Sequence, residues 1–252
     1  MSDALSLVRA SVERLAAIVR PLSDDDLQRP AYPTEWTIAD VLSHLGSGAV
    51  IFGRRAADTL AGQDTPADFN QGVWDQWNAK APRAQADDAL AADAELVREG
   101  ELVGEEDRAR FHVSFGPMQL GWESFLGMRL SEHVLHTWDV AVVLDPSATL
   151  PTDAVEVLIE RLAMIVGWAG RPNAAPQAIT VATTSPDRTL TVTIGEQSVG
   201  LAPAAADAAP QLTMPAEAFV RLVYGRLDPA HTPSVDGDPA LLDTLRAVFP
   251  GF

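Results

Sequence analysis

His44, Glu132 and His136 are the residues of this chain whose types and spacing suit metal chemistry. Glu132 and His136 are four positions apart, so on a helix they lie about 40° apart on one face. A second helix offering His44 completes a set of two imidazoles and one carboxylate. Such a set suits Zn²⁺ or a similar divalent ion, iron and nickel included, and leaves a coordination position open. That open position is what separates a catalytic metal site from a structural one.

Neighbouring residues offer competing explanations. His133 stands about 60° from His136 on the helical wheel, so a His133/His136 pair is a second way to build the site. Glu132 with His136 is the tighter geometry, and His133 reads as a neighbour or a surface residue. Glu132 and His136 can also form an ordinary helical pair worth a few tenths of a kcal/mol. A lone His44 on an apolar face is more often a core residue than a ligand. Against these stands the company they keep: the helix also carries Leu126, Leu130, Val134, Leu135 and Val142. A carboxylate beside that face is costly unless it is paired or metal-bound. Asp40 is explained by a capping box with Thr37. Asp139, three residues after His136, is placed to orient an imidazole. His112 and His231 lie in loop-like sequence without a partner at metal spacing and read as surface residues.

The elements that must position these groups follow from hydrophobic periodicity. A helix is expected near residues 3–20, with Leu5, Val8, Val12, Leu15 and Val19 on one stripe. A second should begin at the Thr37 cap and run to about Leu60, carrying His44. Shorter helices are expected over 70–79 and 86–100, with residues 101–116 irregular. A strongly periodic helix from about 120 to 144 carries Glu132 and His136, and another follows Pro151 to about Trp168. After Gly170 the pattern changes to β-branched runs over 179–183, 189–194 and 197–201, broken by turn residues. A short strand at 212–214 and helices over 215–224 and 239–249 close the chain. The expectation is an α plus α+β protein: a helical bundle over 1–170 and a small C-terminal α+β domain over 177–252. Trp36, Trp122, Trp138 and Trp168 read as core or helix-junction residues, while Trp74 and Trp77 are candidates for lining a cleft.

Composition limits the partners. The 252 residues carry a net charge of −17 and no cysteine. Nucleic acid and anionic membrane both need a basic face, so neither is expected. The absence of cysteine excludes a disulfide framework, a zinc–thiolate cluster and a cysteine nucleophile. No apolar run approaches membrane-spanning length and the first 20 residues lack the core of a signal peptide, so a cytoplasmic protein is expected.

Two segments carry a resemblance. Pro33-Thr34-Glu35-Trp36-Thr37-Ile38-Ala39-Asp40-Val41-Leu42-Ser43-His44-Leu45 resembles the tryptophan-to-histidine opening of the DinB-like superfamily. Arg129 to Asp139 resembles its second ligand-bearing helix. The stretch from Tyr224-Gly225-Arg226 through Val235-Asp236-Gly237-Asp238 to Phe252 is similar to the second domain of mycothiol-dependent maleylpyruvate isomerases. Pro33-Thr34-Glu35 departs from the cysteine-proline-glycine flavour that many members show before the tryptophan. The resemblance implies a DinB-like four-helix bundle with a divalent metal, usually zinc, held by His44, Glu132 and His136, plus a small C-terminal α/β domain. It implies mycothiol as cosubstrate and an arginine acting on substrate: Arg226 by the best match, Arg221 as the runner-up. The implied activity is thiol addition to an electrophilic, carboxylate-bearing substrate, by an isomerase or an S-transferase. Two other readings remain: a metal-dependent hydrolase or transferase without thiol, and a non-enzymatic metal- or ligand-binding stress protein.

Overall fold

The computed structural model describes residues 3–33, 35–115, 118–173 and 175–251. By packing, the chain divides between Ala148 and Thr149. The sequence reading, with its divide near 170, gives the helix after Pro151 to the first domain. The structure corrects this. The helix spans Thr152–Ala169 and belongs to the second unit, because Val155, Leu158, Leu162 and Val166 are buried against elements of that unit.

The first unit is built on four long helices: α1 (Ala4–Val19), α3 (Ile38–Leu60), α5 (Pro82–Leu102) and α7 (Trp122–Leu144). Shorter ones, α2 (Asp24–Leu27), α4 (Phe69–Asn78) and α6 (Glu105–Arg110), lie in the connections. Each long helix packs on two others, α3 on α5 and α7, and α1 on α5 and α7. Leu15, Leu42, Leu45, Ala86, Ala89 and Val140 meet at the centre. Phe52 of α3 lies 4.8 Å from Phe125 of α7 between ring centroids, while His44 meets Glu132. Residue numbers rise along one helix as they fall along the other, so α3 and α7 are antiparallel.

Local chemistry explains where these helices start. Pro82 stands at the first position of α5, where its missing N–H costs nothing, and so α5 begins before the expected Ala86. Thr37 and Asp40 form the expected capping box: Thr37 N–H donates to Asp40 Oδ2 over 2.9 Å, and Asp40 N–H donates to Thr37 Oγ1 over 3.1 Å. Thr37→Ala should lower the stability of the first unit by about 1 kcal/mol. Denaturant unfolding of the variant checks this. The segment expected to be irregular holds α6 and the hairpin β1 (His112–Phe115) and β2 (Met118–Gly121), which leads straight into α7. Its charged first and last turns hid a helix of only six residues.

The second unit places α8 (Thr152–Ala169) beside a five-stranded sheet of order β5-β4-β3-β6-β7. Its strands are β3 (Gln177–Thr184), β4 (Arg188–Ile194), β5 (Val199–Pro203), β6 (Leu212–Pro215) and β7 (Asp236–Gly237). The first three form an antiparallel meander with Ile179 opposite Val192. β6 then pairs parallel to β3, with Val181 opposite Leu212. Helices α9 (Ala216–Val223) and α10 (Pro239–Val248) complete the unit, with Phe219, Leu222 and Leu245 buried in its core. Among the described residues no helix is long and apolar enough to cross a membrane.

Candidate metal centre

The antiparallel pairing of α3 and α7 brings His44 to the one-turn pair Glu132 and His136. One ligand atom from each of the three lies within 4.8 Å of the other two. Nε2 of His44 is 3.1 Å from Oε2 of Glu132, and Nε2 of His136 is 3.7 Å from the same oxygen. Donors held ~2.1 Å from a tetrahedral ion stand ~3.4 Å from one another. Both distances fall close to that value. The donor set, two imidazoles and a carboxylate, therefore fits a divalent ion in chemistry and in spacing.

His136 is held in the required tautomer. Its Nδ1–H donates to Oδ2 of buried Asp139 over 2.8 Å, which turns the Nε2 lone pair toward Glu132 and His44. The rings of His44 and His136 meet edge to face, 4.6 Å between centroids. Glu132 is ionised. Burial alone would raise its pKa, but the hydrogen bond from His44 and the charges of His136, His44 and Arg129 outweigh that and lower it to about 2.

This sets a pH dependence. The folded pKa of Glu132 lies below its ordinary 4.5, so its contribution to stability is complete above pH 4.5 and is lost as pH falls toward about 2. Acid unfolding of metal-free protein should therefore be steeper between pH 4.5 and 2 than that of Glu132→Gln.

His44 opens onto a cleft of about 460 Å³ lined also by Glu35, Trp36, Asp40, Ser47, Trp74 and Asn78. Trp36 is 37% exposed and covers both imidazoles, 5.4 Å from the His44 ring and 6.0 Å from that of His136. It stands at the helix junction, directly before the Thr37 cap, and that place projects it over the imidazoles. Trp74 lines the cleft as expected. Trp77 does not: it is 5% exposed, packed beneath α3, with Lys80 Nζ 3.5 Å from its ring centroid. Trp122 and Trp138 are core residues, whereas Trp168 is exposed.

His133 is neither a ligand nor a surface residue. It is fully buried, its Nε2–H donating to Asp93 over 3.1 Å while Ser11 Oγ lies 2.7 Å from Nδ1. His112 is exposed on β1, and His231 pairs with Asp228 at 2.8 Å.

Arg226 and Arg221 belong to the second unit. Arg221 is 3% exposed, bound by two bonds of 2.7 and 2.9 Å to Glu217, and donates to the carbonyls of Arg226 and His231. It clamps the loop. Arg226 is only partly buried and donates to the Tyr224 carbonyl over 2.9 Å. Gly225 before it has φ +71°, and a Cβ there would stand 2.3 Å from the Gly251 backbone, so only glycine fits.

Comparison with known proteins follows the same division of the chain. Residues 8–141 match the model of the mycothiol maleylpyruvate isomerase N-terminal domain, and residues 149–244 match that of the MDMPI C-terminal domain. Crystal structures of a mycothiol-dependent maleylpyruvate isomerase and of a histidine-to-alanine mutant share the fold. The TM-scores are 0.65 and 0.66 at 14% identity, covering 90% and 89% of this chain and 89% and 88% of theirs. Uncharacterised proteins from two strains of Mycobacterium tuberculosis are 27% identical over 161 residues, 64% of this chain and 76% of each relative. Matched by both domain models over most of its length, the chain belongs to the mycothiol maleylpyruvate isomerase family.

Proposed function

We propose that this protein is a metal-dependent enzyme that uses mycothiol, adding its sulfur to an electrophilic substrate that bears a carboxylate. His44, Glu132 and His136 hold the ion, zinc by donor chemistry. When bound, such an ion supplies a thiolate at neutral pH, because coordination deprotonates a thiol outright. The observation that carries the reading is the gathering of three donors from two antiparallel helices, one of them, His44, lining an open cleft, with Asp139 orienting His136.

The chain's own groups then divide the work. Asp139 keeps His136 oriented and basic. Glu132 contributes a fixed negative charge, so a site with a divalent ion and one thiolate is electrically neutral. Trp36 shields the imidazoles from water on the cleft side. Among the described residues the cleft lining carries Glu35 and Asp40 and no lysine or arginine, so it favours neutral, hydrogen-donating groups and disfavours a substrate carboxylate. Arg226 is the group proposed to hold that carboxylate, by a bidentate pair that lysine cannot reproduce. Arg226→Lys should raise KM for the electrophile about tenfold or more and leave mycothiol affinity unchanged. Steady-state kinetics with each substrate varied in turn check this.

A cis-to-trans isomerase adds the sulfur to an activated double bond, allows rotation about the resulting single bond, and eliminates the thiol. An S-transferase stops at the adduct. Both need the same ion and the same arginine. The deciding experiment is calorimetry of mycothiol with metal-loaded and metal-stripped protein side by side. Binding that needs metal and releases a proton supports the thiol enzyme. A folded, metal-loaded protein that binds no mycothiol refutes it and leaves the hydrolase and binding-protein readings.

A further inference from the structure

Helix α7 is buried on most of its circumference. Fifteen of its 23 residues are inaccessible, so no single apolar stripe decides which way it faces. Rotation by one residue would replace one set of apolar contacts by another, yet would carry Glu132 and His136 about 100° away from His44. Something other than apolar packing must fix the helix.

A directional cluster lies next to the ligand stripe. Arg129 and His133 are one turn apart on α7, flanking the line of Glu132 and His136 on the inward side. Both converge on Asp93 of α5, which is fully buried. One carboxylate oxygen of Asp93 accepts from Arg129 and the other from His133 Nε2. The other side of His133 meets Ser11 of α1, and Arg129 also donates to the carbonyl of Leu45, the residue after His44, over 2.9 Å. The guanidinium lies against Gly48, where a Cβ would come within 2.9 Å of Nη1 and meet no other residue's side chain. Nε of Arg129 has no hydrogen-bond partner among the described residues. A buried ionic cluster with one donor unmet is a poor source of stability beside apolar packing of equal volume. Its geometry, however, can be satisfied in only one rotation and one axial register.

We propose that Asp93, Arg129 and His133 are positioning residues for the metal centre: they lock α7 against α3 in the register where Glu132 and His136 meet His44. The proposal rests on the metal reading of those three ligands.

The test measures Co²⁺ affinity and its visible absorption in wild type and three variants, with metal-free stability followed in parallel. The triple variant Asp93→Leu/Arg129→Met/His133→Leu replaces the cluster by apolar groups, which commonly keep or raise stability. Gly48→Ala pushes on Arg129 while improving helix propensity, so folding is not at risk. Leu15→Ala is the control: it opens a core cavity in α1 and removes none of the cluster's hydrogen-bonding groups. Co²⁺ affinity should fall 10- to 100-fold in the first two, with altered absorption, and stay within about threefold of wild type in Leu15→Ala despite its lower stability. Unchanged affinity in Gly48→Ala, or in a folded triple variant, overturns the proposal. Affinity that tracks stability, with Leu15→Ala as weak as the others, overturns it too. A wild type that takes up no Co²⁺ refutes the metal reading itself, a different failure from the same titrations.

Discussion

Glu132→Gln should leave the protein folded and deprive it of tightly held metal. The Glu132 side chain is half-exposed, so an amide of the same shape is accommodated without loss of packing. The change removes the only negative charge among the three ligands and the shared partner of both imidazoles. Altering a residue behind a metal ligand costs 10- to 100-fold in affinity, and loss of a ligand itself should exceed about 100-fold. If the proposed thiol chemistry holds, turnover falls on the order of a thousandfold, since the ion contributes several kcal/mol of charge stabilisation. Metal content after dialysis and mycothiol-dependent turnover are the measurements. A variant that retains stoichiometric metal would reject Glu132 as a ligand.

The second large effect is on stability. Trp77→Ala should destabilise the first unit by about 3–5 kcal/mol, the range for emptying a buried tryptophan site. The ring sits over Gly46, two residues after His44, and a Cβ on Gly46 would stand 2.2 Å from Trp77 Cη2 and 2.9 Å from the Ala89 backbone. Helices α3, α4 and α5 therefore interlock through a glycine hole and a tryptophan knob. Gly46→Ala alone should cost about 1–3 kcal/mol by overpacking. In the Trp77→Ala background most of that clash disappears, so the two changes should couple by more than about 1 kcal/mol. Additive losses in denaturant unfolding would show that the ring does not fill this hole. The clash with the Ala89 backbone remains in both backgrounds, which is why full cancellation is not expected.

Much of this protein was legible in its sequence because the signals were local. The capping box of Thr37 and Asp40, the one-turn spacing of Glu132 and His136, and the period-two runs after Gly170 each depend on residues a few positions apart. The long helices and β3 to β6 lie near where the sequence puts them; α6, the β1–β2 hairpin and β7 were not expected, and α5 starts four residues before its expected beginning. Other features needed the tertiary structure. Whether His133 turns outward or inward is undecided by a helix that is apolar on nearly all sides; its inward position follows from a carboxylate forty residues away on α5. Trp36 reads as core or helix junction and Trp77 as a cleft candidate, since tryptophan suits each; Trp36 stands at the junction before the Thr37 cap, and only the path of the chain around α3 buries Trp77. The helix after Pro151 carries no mark of which unit it joins, because an apolar stripe fits a bundle or a sheet equally well. Sequence alone determined which side chains have the chemistry and which helices carry them. Only the packed structure decided which face each helix presents, because rotation about a helix axis is fixed by partners distant in the chain and not by neighbours along it.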